Sequence, residues 1–212
     1  MGSKTTLHTK EARGDVMNNE PIWMKDQITS AEQLRESIDK PHEAIVMKSI
    51  SVIDETIRDY VSKSSIFFLA TSSLERKADV SPRGDEPGFV KILDEKHLAF
   101  PDRPGNRRAD SLQNIIENPQ VGMIFVIPGS NDVLRINGRA VITRNEEFIA
   151  SQGWDGKMTG LAVVVEVEEC FVHCPRAFKQ GGLWSQDQWI PKEEHPNTSE
   201  MFKAHLAING WK

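Results

Sequence analysis

The residues most suggestive of chemistry lie in Pro101-Asp102-Arg103-Pro104-Gly105-Asn106-Arg107-Arg108-Ala109-Asp110-Ser111, just ahead of an amphipathic run. Asn106 has the right side chain to cap a helix, which would place Arg107 and Arg108 in its first turn. A helix N-terminus already carries about half a unit of positive charge, so two cations there make sense when an anion sits on them. Free backbone N–H groups, the dipole and two guanidinium forks together form a phosphate site. The same residues also read as a solvated arginine pair offset by Asp102 and Asp110.

Three further stretches could serve such a ligand. Arg135 and Arg139 project from one side of an alternating strand, 133–142, whose other side carries Leu134, Ile136, Gly138, Ala140 and Ile142. That polar side faces solvent, a partner subunit or an anionic ligand. In Val80-Ser81-Pro82-Arg83-Gly84-Asp85 a strand breaks, exposing backbone donors and acceptors that can bond the edge of a flat heterocycle. A tight surface turn would look the same. Trp184 follows Gly181-Gly182-Leu183 near the end of the chain. It could pack on its own core or cover a partner's pocket.

The elements that must position these residues follow from periodicity. Residues 1–27 are polar and aperiodic and read as a flexible arm. Helical patterns follow from Ser30 to Pro41 and over 54–62, with Ile57 and Val61 on one face and Asp54 as cap. Strand-like segments occupy 66–71, 78–83, 89–93, 96–100, 121–127, 133–142 and 161–172, and helices 107–117 and 146–151 lie between them. In the first of these, Leu112, Ile115 and Ile116 supply the apolar stripe. Six or seven strands with short connections suggest a mostly antiparallel β-barrel with flanking helices. The expected organisation is an arm (1–27), a helical extension (28–62), the barrel (63–184) and a C-terminal tail with a short helix (185–212).

Composition removes several classes. The chain has 212 residues, 38% hydrophobic and 27% charged, with a net charge of −5. A nucleic-acid partner is disfavoured by that negative balance. A membrane span is disfavoured because no apolar run approaches the roughly 18 residues required. No apolar segment follows Lys4 or Lys10, so no secretory signal is expected. Cys170 and Cys174 are the two cysteines. Their spacing suits reduced thiols in a cytoplasmic protein, and with His173 alone between them no metal site is expected. There is no GxSxG, P-loop or GxGxxG, so common hydrolases and dinucleotide enzymes are disfavoured.

Taken together, the segments ADVSPRGD (78–85), FPDRPGNRRADSLQNIIENP (100–119), VGMIFVIPG (121–129), LRINGRA (134–140) and HCPRAF through LW (173–184) resemble the pyridoxamine 5′-phosphate oxidase-like FMN-binding split-barrel family. The resemblance implies a six-stranded antiparallel split barrel, homodimeric, with FMN in clefts between the subunits. Val80, Ser81, Pro82, Arg83 and Gly84 would lie along the flavin ring, and Phe100 and Pro101 beside the ribityl chain. Asn106, Arg107 and Arg108 would hold the phosphate. Arg135 and Trp184 would contribute across the subunit boundary. The implied activity is FMN-dependent oxidation or reduction of a small molecule, with NAD(P)H as the natural electron donor, and no side chain is assigned an acid–base role. The true oxidase grips its substrate's phosphate with an Arg-x-His-type signature in the C-terminal segment. Here Arg176 is the last arginine, so pyridoxamine phosphate is not carried over as substrate. The alternatives are a flavin-binding or redox-sensing module without turnover, or a relative that takes a deazaflavin or haem. Haem would look to His173 or His195 for an axial ligand.

Overall fold

The computed structural model describes residues 21–211, so the arm expected over 1–27 lies outside the described residues up to residue 20. The chain divides after His42 into two compact units. In the first, helix α1 (Ala31–Ser37) starts where Ser30 Oγ accepts a hydrogen bond from the Gln33 amide at 3.3 Å, and Ile38 is already extended.

The second unit opens with a short helix, α2 (Glu43–Met47), that the sequence pattern did not reveal. Helix α3 (Glu55–Lys63) begins at Asp54, whose carboxylate accepts from the Ile57 amide at 2.9 Å and the Thr56 hydroxyl at 2.8 Å. Those two bonds, the backbone one foremost, hold the Asp54 carboxyl below its ordinary range. Ile57 and Val61 are buried on the core side of α3.

Strands β1 (Ile66–Ser72), β2 (Ala78–Gly84), β3 (Lys91–Ile92), β4 (His97–Pro101), β5 (Gln120–Val126), β6 (Val133–Thr143) and β7 (Ala162–His173) form one antiparallel sheet in the order β2-β1-β5-β6-β7-β4-β3. The seven strands replace the six that the resemblance implies. The extra one is only two residues long, because Phe89 and Val90 turn into the core before the strand can lengthen. No ladder joins β2 to β3 among the described residues, so the strands expected to form a split barrel form a sheet whose two end strands are not hydrogen-bonded to each other. The sheet nevertheless curls. Phe67 of β1 lies 4.9 Å from Phe100 of β4 and 5.0 Å from Phe125 of β5, ring centre to ring centre. These rings form the centre of the core.

Alternation accounts for which residues face that core. Phe67 and Leu69 on β1, Val121, Met123 and Phe125 on β5, and Leu134, Ile136 and Ala140 on β6 are all buried. On β7 the phase changes. Val163, Val165 and Val167 point inward, then Cys170 does. Asn137 pairs with Glu169 but Gly138 pairs with Val167, so Glu168 is an inserted bulge residue that shifts the alternation by one. Helix α4 (Asp110–Glu117) packs on β1, β2 and β6 through Leu112 and Ile115. Ile116, expected on the same stripe, is 77% exposed because the contact is narrow. Helix α5 (Glu146–Ser151) precedes β7, and α6 (Arg176–Gln180) and α7 (Thr198–Ile208) follow it.

Because of the bulge, Cys170 Sγ is buried and donates to the Val52 carbonyl at 3.1 Å. Burial first, then the Asp54 charge, pushes its thiol up from 9.0 to about 11. Cys174, past the strand end, is exposed. A thiol reagent at neutral pH is therefore expected to label Cys174 alone in the native protein and both cysteines in denaturant. The unfolded chain loses the Cys170 proton near 9 and the folded one near 11. Stability should therefore fall as pH rises through that window, more steeply than in Cys170→Ala. Equal labelling of both thiols in the native state would contradict this placement.

Candidate functional site

Strand β2 ends the sheet and pairs only with β1, so its outer edge carries backbone groups without a ladder partner. Towards the far end of the sheet order, β4, the strand next to terminal β3, runs out at Pro101. The curl of the sheet brings that end round to β2, where Arg83 Nη1 donates to Asp102 Oδ1 at 3.1 Å. Between the two ends lies a cleft of about 800 Å³, walled by β2, the loop 101–109, the start of α4, and Thr159 and Leu161 ahead of β7.

The helix that was to begin at Arg107 begins instead at Asp110, with Ala109 as cap at φ 58° and no capping side chain. Asn106 Oδ1 accepts from the Arg108 amide at 3.0 Å, closing a local turn rather than a helix cap. Arg107 adopts φ 66°, so the backbone around Arg108 is left-handed on both sides and cannot be helical. Both arginines consequently precede the helix, yet both line the cleft. Arg108 Nε donates to Asp110 Oδ2 at 2.8 Å, and that bond holds its guanidinium pKa above the ordinary value. Arg103 is paired with Asp85 and also donates to the Lys157 carbonyl at 3.3 Å. Arg83 is paired with Asp102. Among the described residues, Arg107 is the one cleft arginine with no protein partner.

The inner end is a chain of hydrogen bonds. Ser111 Oγ donates to Asp79 Oδ2 at 2.6 Å and lies 3.0 Å from Ser81 Oγ, which accepts from Arg83 Nε at 3.3 Å. Thr159 Oγ1 donates to Asp102 Oδ2 at 2.8 Å. Asp102 and Ser111 are buried. Sequence reasoning missed Asp79, Asp102, Ser111 and Thr159 as members of the site. The first could have been read from strand alternation, since Asp79, Ser81 and Arg83 fall on one face of β2. Thr159 sits in a loop with no periodicity to announce it.

Of the residues expected in a cofactor site, Val80, Ser81, Pro82, Arg83, Gly84, Pro101, Asn106, Arg107 and Arg108 line this cleft together. Phe100 does not; it is buried in the core against Phe67, and only its neighbour Pro101 reaches the cleft wall. Arg135 and Trp184 are not in the cleft wall of their own chain. Arg135 lies 5.7 Å over the Phe171 ring and donates to Asn137 Oδ1 at 3.3 Å. Trp184 Nε1 donates to the Ser130 carbonyl at 2.7 Å, in the turn between β5 and β6. The two histidines considered for haem lie elsewhere: His173 stacks on Phe171 and His195 bonds the Ile190 carbonyl. Among the described residues no group of three or more His, Cys, Asp or Glu could hold a metal ion. No described helix is long and apolar enough to cross a membrane.

A family model described as pyridoxamine 5′-phosphate oxidase matches residues 53–171 of this chain. Among solved structures, HupZ of Group A Streptococcus is 18% identical, covering 57% of this chain and 93% of that one, with a TM-score of 0.45. General stress protein 26 of Bacillus anthracis is 13% identical over 56% of this chain and 91% of that one, with a TM-score of 0.43. No curated protein matches.

Proposed function

Because this chain belongs to the pyridoxamine 5′-phosphate oxidase family, whose members bind flavin and include oxidoreductases, we propose that it binds FMN in the β2–α4 cleft and acts as an FMN-dependent oxidoreductase. The observation that carries the reading is the unpartnered Arg107 guanidinium at one end of a cleft whose other side is an unpaired strand edge. A phosphate monoester meets the first, and a flat ring rich in donors and acceptors meets the second. The volume, about 800 Å³, falls within the roughly 300–1,000 Å³ of ordinary cofactor and ligand pockets. FMN held there supplies the electron transfer. The chain's own work is to bind the phosphate through Arg107 and Arg108, to bond the ring edge through β2, and to keep Arg83 beside it.

A homodimer suits this reading. Val80, Ile116 and Val141 are apolar and 65%, 77% and 60% exposed, the kind of surface a second copy covers. Arg135 and Trp184, outside the cleft of their own chain, would then serve the partner's. With NAD(P)H as donor, the substrate would be a small molecule that takes up, through the flavin, the two electrons NAD(P)H gives and is thereby reduced.

An absorption spectrum of the purified protein, taken before and after adding FMN and desalting, tests the proposal. Flavin bands that survive desalting at about one per chain are expected. A colourless protein that releases all added FMN would overturn it, and a deazaflavin would be titrated next. Retained flavin with NAD(P)H oxidation no faster than free FMN would reduce the function to binding.

A further inference from the structure

The ion pair at the inner end of the cleft is unequal in its use of hydrogen bonds. Both Asp102 carboxylate oxygens have a protein donor, Arg83 Nη1 at 3.1 Å and Thr159 Oγ1 at 2.8 Å. Its backbone is fixed as well: the Asp102 amide donates to the Leu161 carbonyl at 2.9 Å and its carbonyl accepts from the Thr159 amide at 3.1 Å. Its side chain is only 10% exposed. Arg83 is the opposite case. It spends Nη1 on Asp102 and Nε on Ser81 Oγ, and among the described residues its second terminal nitrogen has no partner although the side chain lines the cleft. The acid is consumed by the protein, whereas the base keeps donors in reserve.

We propose that Asp102 is a positioning residue: backed by Thr159, it locks the Arg83 guanidinium so that the unused N–H groups are presented to the ring of the bound flavin. This rests on the flavin reading above. The planar fork of arginine keeps its orientation only when two of its nitrogens are held, and here Ser81 and Asp102 hold them from opposite walls. Ser81 is in turn bonded to Ser111 in the first turn of α4, which also donates to Asp79 on β2, so the lock is anchored to the helix as well as to the strand. A side chain fixed before the ligand arrives has less freedom left to lose on binding.

Two readouts decide it, one without flavin. In flavin-free protein, the Arg83 Nε–H resonance, identified by its loss in Arg83→Lys, should be sharp in wild type and broadened in Thr159→Val and Asp102→Asn. Thr159→Val preserves the charge balance, so it reports on orientation even where Asp102→Asn proves unstable. In FMN titrations, Asp102→Asn and Arg83→Gln should each weaken binding about tenfold. Adding Asp102→Asn to Arg83→Gln should weaken it no further, because the acid acts through the arginine. A sharp resonance in both variants, or additive losses in the double variant, would overturn the proposal. A wild type that binds no FMN would sink the flavin reading, while the resonance would still decide whether Asp102 holds Arg83.

Discussion

Replacing Arg107 and Arg108 together by alanine is expected to weaken FMN binding by roughly a hundredfold or more, with the melting temperature nearly unchanged. The two halves of that expectation have separate causes. Both side chains are exposed, and Arg107 has no protein partner among the described residues, so little folded-state packing is lost. Arg107 already sits at φ 66°, and alanine there bears the same backbone strain as arginine. Binding is different, because the one cleft arginine that, among the described residues, is not already paired with a carboxylate is removed. Arg107→Ala alone should accordingly lose more than Arg108→Ala alone, since Arg108 shares its charge with Asp110 at 2.8 Å. Raised salt should weaken FMN binding in the wild type more than in the double variant, as screening acts on exposed charge. Fluorescence titration of FMN at two ionic strengths gives all three comparisons. Unchanged affinity in the double variant would remove the phosphate from this loop.

Gly138→Ala should destabilise the fold by about 3 kcal/mol, lowering the melting temperature by roughly 6–12 °C. Gly138 stands opposite the β7 bulge, where the register jumps between Asn137 and Gly138. A methyl group there would run into the carbonyl oxygen and carbon of Glu166 and the Val165 side chain. The obstacle is backbone in a central strand, which cannot step aside as a flexible side chain would. The strand must move, or the bulge must be lost. Losing the bulge would return β7 to unbroken alternation and expel Cys170 from the core. Labelling of Cys170 by a thiol reagent in native Gly138→Ala would therefore report that outcome alongside the thermal melt.

Strands were the most legible part of this molecule, because each buries one face and shows it as alternation. The pattern in β6 from Leu134 to Ile142 needed no tertiary information. Elements that depend on backbone conformation were less so. Asn106 looks like a helix cap, but its side chain bonds the amide two residues on and closes a turn, a choice the one-letter sequence does not display. The short helix α2 buries none of its residues, so no apolar stripe marks it. The bulge at Glu168 hides because its only trace is a shift of phase within a run of valines and glutamates. In the cleft, the arginines and the β2 segment were readable from charge and strand-breaking residues. Asp102 and Thr159 were not, since their roles arise from two ends of a sheet meeting. Phe100 was expected at the cofactor, but the strand turns its ring into the core.

The free edge of β2 has a consequence for how the protein behaves in a crowded solution. An unpaired strand edge is a template onto which another chain can add a strand, and nothing in the backbone distinguishes such an intruder from a ligand. Pro82 stands in the middle of this edge strand and supplies no amide proton, so a continuous ladder of new hydrogen bonds cannot form along it. Arg83 and Asp79 place charge on the same strand and make stacking of identical copies unfavourable. An edge left open to receive a small molecule is thereby kept from nucleating aggregates.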